Sequence, residues 1–436
     1  MSNSPGSVIL FTAFEPSGDA HAAPLIAALK EKAPDLRIFA WGGPKMEAAG
    51  AEMMGQTCDD GAMGLGGFAA ALAVHKKIRE IRRWAAGVPL VAHIPVDSPA
   101  ANFPICKTMR KRGVRVIHLV GPQLWAWGGW RVRKLRRLTD MVMCLLPFEE
   151  EWFRSRGVPA TFVGHPVMNK DIDEDQLDQE ASSFPHGAPR ILLLPGSRSG
   201  EVNANLGLLV RTFIDLRNRN SRTEGVIVAS NDAMAKKIRQ KLTPMPSGLH
   251  LTAGDIEPAI HWADLAVTVS GTVSLDLTRQ STPMVGIYRV GPISWLGSKF
   301  LLRTPYRLLP NIVANEEVVP EFVPYLGMRG SGPIMQAAYG LVSDKRALAR
   351  VEKSLQHVAS KFDGHDTDDE ASDVVLKVLG RLDDTWETES TMGIKAEGRE
   401  AFEEDLPESV PESRPISGFS PSARALDDSN QADSND

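Results

Sequence analysis

Residues 114–166 read VRVIHLVGPQLWAWGGWRVRKLRRLTDMVMCLLPFEEEWFRSRGVPATFVGHP. Three short apolar runs, Val114–Val120, Met141–Leu146 and Ala160–Val163, have the length of buried parallel strands and are too short for core helices. Between them, Val132–Leu138 and Phe148–Arg156 carry helical patterns. This alternation predicts βαβ units and a doubly wound parallel sheet. Ligands of such sheets sit beyond the carboxyl ends of the strands. Each run ends in an unusual loop: Gly121-Pro122 with Trp125, Trp127 and Trp130; Pro147-Phe148-Glu149; and Gly164-His165-Pro166. The loops are expected to converge on one rim, where the tryptophans either pack or line a cleft.

The same grammar runs through the rest of the first half. Ser7–Ala13 is a strand that enters Glu15-Pro16-Ser17-Gly18-Asp19 and then a helix through Leu25, Ile26 and Leu29. Backbone N–H groups at such a turn face a ligand, although Ser17 or Asp19 serves equally well as a helix cap. Ile38–Trp41 is a second strand, closed by Gly42-Gly43-Pro44-Lys45-Met46. Leu90–Val96 is another, and it ends at Asp97-Ser98-Pro99. A carboxylate there is placed for proton transfer or for capping the next helix. Met63–Ala73 is small and apolar, and Lys76, Lys77, Arg79, Arg82 and Arg83 follow. That combination suits an anionic bilayer surface; the alternative is a helix packed on the sheet with a solvated basic face.

Asp171–Ser183 is acidic and only weakly periodic, which reads as an interdomain linker. Its D-x-D, Asp171 and Asp173, reads as solvated charge rather than a metal site. The pattern then restarts. Ile191–Leu194 is a strand followed by Pro195-Gly196-Ser197-Arg198, a plausible pyrophosphate site of backbone donors and a guanidinium. It lacks the glycine-to-lysine spacing of a Walker loop. Gly225–Ala229, Leu265–Thr268 and Pro283–Tyr288 are further strands. Ser270-Gly271-Thr272 follows the second of these, with Asp276 a turn later as a candidate for ribose hydroxyls. Helices over Ser343–Phe362 and Glu370–Leu382 close the body. The expected organisation is an N-terminal Rossmann-like acceptor domain at 1–170, a linker at 171–189, a Rossmann-like donor domain at 190–342, closing helices at 343–384 and a tail at 385–436.

Composition sets the class. The chain has 436 residues, 43% hydrophobic and 24% charged, as in ordinary globular proteins. From Thr385 onward 13 Asp/Glu stand against 4 Lys/Arg, so the net charge of −5 leaves the body at about +4. That tail is polar and acidic and is expected to be disordered. Three scattered cysteines, Cys58, Cys106 and Cys144, with no CxxC pair, predict reduced thiols and no structural zinc. No signal peptide and no apolar run of membrane-spanning length is visible. A cytosolic protein, or one resting on a membrane surface, is expected.

The motifs together resemble the lipid-A-disaccharide synthase family. They are Glu15-x-Ser17-Gly18-Asp19, Gly42-Gly43-Pro44-Lys45-Met46, Asp97-x-Pro99, Trp125-Ala126-Trp127, Leu146-Pro147-Phe148-Glu149, Gly164-His165-Pro166, Leu194-Pro195-Gly196-Ser197-Arg198, Ser270-Gly271-Thr272 and Leu309-Pro310-Asn311, in family order over roughly Val8 to Leu382. The resemblance implies an inverting, metal-independent glycosyltransferase of two facing Rossmann-like domains (GT-B), with no cofactor. UDP-2,3-diacylglucosamine would be the donor and 2,3-diacylglucosamine 1-phosphate the acceptor. It also implies docking on the cytoplasmic face of the inner membrane through Met63–Ala73 and Lys76–Arg83, and a possible homodimer. A non-catalytic relative and a UDP-amino-sugar epimerase are the competing readings. Asp97 is the expected base, with Glu15 and Asp19 orienting the acceptor and His165 in reserve. Gly196, Ser197, Arg198, Ser270, Gly271, Thr272, Asp276 and Asn311 are expected around UDP. The chain departs from the family at Phe14, Ala100, Ala101, Gly128, Asn169, Asp276 and Pro324, where family members carry Gly, Asp, Phe, Arg, Asp, Glu and Gln.

Overall fold

Val8–Thr12 (VILFT) is buried at every position, as a strand covered on both faces must be. In the computed structural model, which describes residues 7–58, 67–291, 304–326 and 330–382, it is an interior strand of a seven-stranded sheet. The strands are β1 Val8–Thr12, β2 Arg37–Gly42, β3 Glu52–Gln56, β4 Leu90–Pro95, β5 Arg115–Leu119, β6 Met141–Cys144 and β7 Ala160–Phe162. Their order is β3-β2-β1-β4-β5-β6-β7, and each pairing is parallel. A second parallel sheet contains β8 Arg190–Leu194, β9 Glu224–Ala229, β10 Leu249–Ala253, β11 Leu265–Val269, β12 Met284–Val290 and β13 Glu321–Leu326, ordered β10-β9-β8-β11-β12-β13. The winding direction reverses between β1 and β4 in the first lobe and between β8 and β11 in the second. Those are the places where ligands bind in open α/β sheets.

Two expectations need correction. The acidic segment after Lys170 is not a free linker. Glu174–Ala181 is a helix, capped by the Asp173 carboxylate, which accepts from the Gln176 N–H at 3.0 Å. It buries Leu177 and is held to helix Glu257–Trp262 by Asp178 and His261 at 2.7 Å. The helices after β13 also divide differently. Gly332–Ser343 and Lys345–Ala359 are separate helices, with Asp344 capping the second. The last helix, Thr367–Val378, returns to the first lobe. Its Ala371, Val374, Val375 and Leu376 join Leu25, Ile26 and Leu29 in that lobe's core. The expected disordered tail from residue 385 lies outside the described residues.

An apolar seam joins the lobes. Trp125, Ala126 and Leu146 from the first lobe pack with Leu275, Val313 and Val358 from the second. Trp125 is thereby buried at 7% exposure, whereas Trp127 and Trp130 stay exposed at 44% and 67%. The two chain crossings are tied to each other as well. The Asn169 amide donates to the His365 carbonyl, and its oxygen accepts from the Thr367 hydroxyl. An aspartate at 169 has no proton to give the carbonyl, which accounts for asparagine at this point of departure from the family.

The returning helix generates a test. Leu376 is 4% exposed in the first lobe's core, so Leu376→Ala should cost about 2–5 kcal/mol of stability. Urea unfolding followed by tryptophan fluorescence measures it. A cost below about 1 kcal/mol would place this helix outside the core.

Candidate active site

The loops at the two reversal points face each other across a cleft. After β4, Asp97 and Ser98 both adopt left-handed backbone angles, φ 44° and 42°. Burial pushes the Asp97 carboxyl above the usual aspartate range, and the charge of Glu15 pushes the same way, while the Ser98 N–H pulls against both. Glu15 lies after β1. It accepts from the Ser98 hydroxyl at 3.1 Å and reaches across to the Arg198 guanidinium at 3.7 Å. One carboxylate therefore touches both reversal loops.

In the second lobe, Gly196, Ser197, Arg198, Ser270, Gly271 and Thr272 line one cavity of about 470 Å³. Ser17 of the first lobe completes its wall. The positive φ of 103° at Gly196 makes the turn, and a Cβ there would come within 2.7 Å of the Glu201 carboxylate. Glu201 accepts from the N–H groups of Ser197 and Arg198 at 3.2 and 3.3 Å, and from the Arg198 guanidinium at 3.2 Å. The N–H groups of Ser197 and Arg198 are thus satisfied by Glu201, which leaves the guanidinium as the loop's candidate for an anion. The Ser270 hydroxyl is tied to the Arg307 carbonyl at 3.2 Å.

Other expected site residues have different jobs. Asp19 is 3% exposed, and its carboxylate receives the N–H groups of Gly43, Lys45 and Met46, each at 3.0 Å. It clamps the loop after β2. Asn311 is fully buried. Its amide donates to the Val319 carbonyl and the Glu321 carboxylate, and its oxygen accepts from the N–H groups of Val318 and Val319. It therefore has nothing left for UDP. Asp276 lies a turn beyond the cavity wall; burial raises its carboxyl, opposed by Lys170 and Arg279 near the lobe crossing. His165 is 5% exposed, and its Nδ1 accepts from the Val167 N–H at 3.1 Å. Its Nε2 then carries the proton, so the ring donates and has no lone pair free to act as a base. Burial, with His21 alongside, lowers its pKa to about 3 and keeps it neutral.

Sequence reasoning quoted Glu149 as part of a motif and gave it no task. It is 3% exposed, and it accepts from the Trp125 indole at 2.8 Å and from the N–H groups of Leu145 and Leu146 at 3.2 and 3.1 Å. It thereby fixes the tryptophan that forms the interlobe seam. Ser230, Gly254 and Ile256, which also line the cavity, were missed. Gly254, with φ 108° after β10, follows an edge strand that itself left little trace in the sequence.

A family model described as lipid-A-disaccharide synthetase matches residues 9–363. The chain belongs to the lipid-A-disaccharide synthetase family. It is accordingly a glycosyltransferase of lipid A biosynthesis. Lipid-A-disaccharide synthase of Solibacter usitatus is 31% identical over 82% of this chain and 93% of its own length. The Pseudomonas putida W619 enzyme is 31% identical over 85% and 98%. Solved structures share the fold at much lower identity. The UDP complex of Staphylococcus aureus MnaA has a TM-score of 0.60 at 10% identity, covering 86% of this chain and 98% of that one. The spinosyn rhamnosyltransferase SpnG with thymidine diphosphate has 0.53 at 12%, covering 86% and 100%. A UDP-N-acetylglucosamine 2-epimerase from Neisseria meningitidis has 0.54 at 11%, covering 86% and 100%. The epimerase likeness is one of fold alone.

One departure from the synthetase family is compensated locally. Gly128 has a left-handed φ of 73°, and a Cβ there would come within 2.7 Å of the Arg131 guanidinium. That guanidinium lies 4.0 Å from the centre of the Trp127 ring. Arg131 thus brings a positive charge beside Gly128, the position where the resemblance implies an arginine.

Glu149 yields a test with a definite sign. Burial is the main reason its pKa rises from 4.5 to about 7, and the Asp97 charge adds to it. The folded protein therefore keeps this proton where the unfolded chain has released it. Stability should fall as pH rises from about 4.5 through about 7. Urea unfolding of wild type and Glu149→Gln at several pH values isolates that loss. An identical pH dependence in both proteins would show that Glu149 does not titrate in this range.

Proposed function

We propose that the chain joins UDP-2,3-diacylglucosamine to 2,3-diacylglucosamine 1-phosphate, releasing UDP, with Asp97 as general base and Arg198 on the diphosphate. The observation carrying this reading is the pairing of a partly buried carboxylate at one reversal loop with a guanidinium at the other, linked by Glu15. Asp97 takes the proton of the acceptor's primary hydroxyl as its oxygen attacks the anomeric carbon. The bond from that carbon to the UDP oxygen breaks, and a single displacement inverts the centre. A positioned base contributes typically 10²–10⁴-fold. Arg198 exchanges Glu15 and Glu201 for the leaving diphosphate, a charge-assisted contact suited to phosphate oxygens. With the guanidinium neutralising that charge, the reading requires no metal. The neighbours solved with UDP and thymidine diphosphate support a pyrimidine nucleoside diphosphate in the second lobe.

Incubation with the two lipid precursors should yield disaccharide and UDP. Asp97→Asn, nearly isosteric, should cut the rate at least about a hundredfold while circular dichroism stays unchanged. A folded variant that keeps more than about a tenth of the rate excludes Asp97 as the base.

The proposal includes docking of the first lobe on the cytoplasmic face of an anionic membrane. Among the described residues no helix is long and apolar enough to cross a membrane. Helix Gly67–Ala86 exposes Leu72, Lys76, Arg79, Arg82 and Arg83. Helix Val132–Leu138 adds Arg133, Lys134, Arg136 and Arg137, close to exposed Trp130. Met63, Leu65 and the side chain of Phe68, which the sequence also nominates, lie outside the described residues. Flotation should find the protein on anionic vesicles at low ionic strength and free at high salt, because such attraction is screened. Absence of binding at low salt would leave the helix as packing with a solvated basic face.

A further inference from the structure

We propose that Asn102 is a positioning residue for the base, its amide oriented by the Val96 and Asp97 carbonyls and its oxygen held by buried hydrogen bonds running from His93 through Thr12. The inference rests on the reading of Asp97 as that base. Asp97 and Ser98 both stand in the left-handed region, where a residue other than glycine persists only if its surroundings hold it there. The Asp97 N–H donates to the Leu119 carbonyl at 3.1 Å, and the Val96 N–H to the Thr12 carbonyl at 2.9 Å. The carbonyls of the same two residues are held by one side chain. Asn102, fully buried, donates from Nδ2 to the Val96 and Asp97 oxygens at 3.1 and 2.8 Å.

Counting protons sets the direction of the rest. The two carbonyls only accept, so Nδ2 faces them and Oδ1 faces away. Oδ1 accepts from the Thr12 hydroxyl at 2.7 Å. That hydroxyl has one proton and has now spent it, so His93 Nε2, 2.8 Å away, must be the donor to it. His93 Nδ1 is then the bare nitrogen, and it faces the Cys106 thiol at 3.9 Å, a weak donor. Burial lowers the His93 pKa to about 3, so the ring carries the single proton this order requires. Turning the Asn102 amide over would set its oxygen against two carbonyl oxygens. The two carbonyls therefore select one amide orientation, the buried Thr12 hydroxyl satisfies the amide oxygen in it, and that orientation holds the backbone that aims the Asp97 carboxylate. Misplacing a catalytic group by about 1 Å can cost a hundredfold.

Thr12→Val keeps shape and removes the hydroxyl; Thr12→Ser keeps the hydroxyl. In the disaccharide assay Thr12→Val should lower kcat about tenfold or more, with KM for both substrates within about twofold, and Thr12→Ser should restore the rate. In an Asp97→Asn background the same change should cost less than about threefold, because two groups acting as a unit are not additive. A crystal structure of Thr12→Val should show Asp97 and Ser98 leaving the left-handed region. That structure tests the chain even if Asp97→Asn itself retains full activity, an outcome that would sink the base and not the chain. A folded Thr12→Val with kcat within about threefold of wild type, an undiminished loss in the Asp97→Asn background, or an unmoved backbone overturns the proposal. Should Thr12→Val not fold, Asn102→Asp, which removes both donors to the carbonyls at constant size, is read by the same criteria.

Discussion

A parallel strand can be joined to its neighbour only by a crossover that returns over one face of the sheet. In this protein that constraint governs both lobes. It covers the sheets on both faces, which is why β1 and β8 are almost wholly apolar. It also sends every strand's carboxyl end to the same edge. Where the winding reverses, two adjacent loops part to opposite faces and leave a gap. In the first lobe that gap lies between the loops of Glu15 and Asp97; in the second it lies between those of Arg198 and Ser270. The candidate site residues lie at the two points where a parallel sheet has room for a ligand.

Bringing the two gaps together is the task of the seam. Trp125 supplies large apolar contact, and its indole is held by Glu149, so the ring cannot pack in another pose without stranding a buried carboxylate. Polar ties add direction. Arg279, 8% exposed, donates to the Lys170 carbonyl at 3.1 Å and pairs with Glu257 at 2.9 Å. Asn169 ties the outgoing crossing to the returning one. The Glu15–Arg198 contact is the weaker kind of link, since both side chains are about half exposed; pairs of this type contribute little to stability. The lobes are held together by the seam and the crossings, and the charged pair across the cleft is free to exchange partners.

How much of this was legible in the chain depended on which physical signal a segment carries. Strands covered on both faces write an unbroken apolar run, and β1, β4, β8 and β11 were read nearly to the residue. The edge strands β3 (EMMGQ) and β10 (LHLTA) carry mixed, partly exposed residues and left no such mark. Helix Glu174–Ala181 buries only Leu177, so its acidic surface read as linker. At the cleft, strand-end position was informative about placement: the Arg198 and Ser270–Thr272 loops line the second lobe's cavity, and Asp97 lies at the first lobe's reversal loop. Polarity was not. Asp19 and Asn311 have the composition of ligand contacts, but each spends its oxygens on backbone N–H groups of a neighbouring loop. A polar side chain looks the same in sequence whether it faces a substrate or a peptide bond, and only a count of its partners in space separates the two.

The same count explains why losing the family's second aspartate at Ala100 leaves the reversal loop intact. Ala100 is exposed, in the first turn of helix Pro99–Lys111. None of the hydrogen bonds that hold Asp97 passes through its side chain: they come from the Leu119 carbonyl and the Asn102 amide. Phenylalanine gives way to Ala101 at the next position, where the 6% exposed methyl still packs into the core shared by Phe103 and Ile105. Asn102, whose amide bonds the Val96 and Asp97 carbonyls, is retained. A carboxylate at 100 would stand close to Asp97 and Glu15, where like charge disfavours ionisation. Its absence leaves burial and Glu15 as the influences that raise Asp97. The departure therefore alters the charge around Asp97 while sparing the hydrogen bonds that hold its backbone.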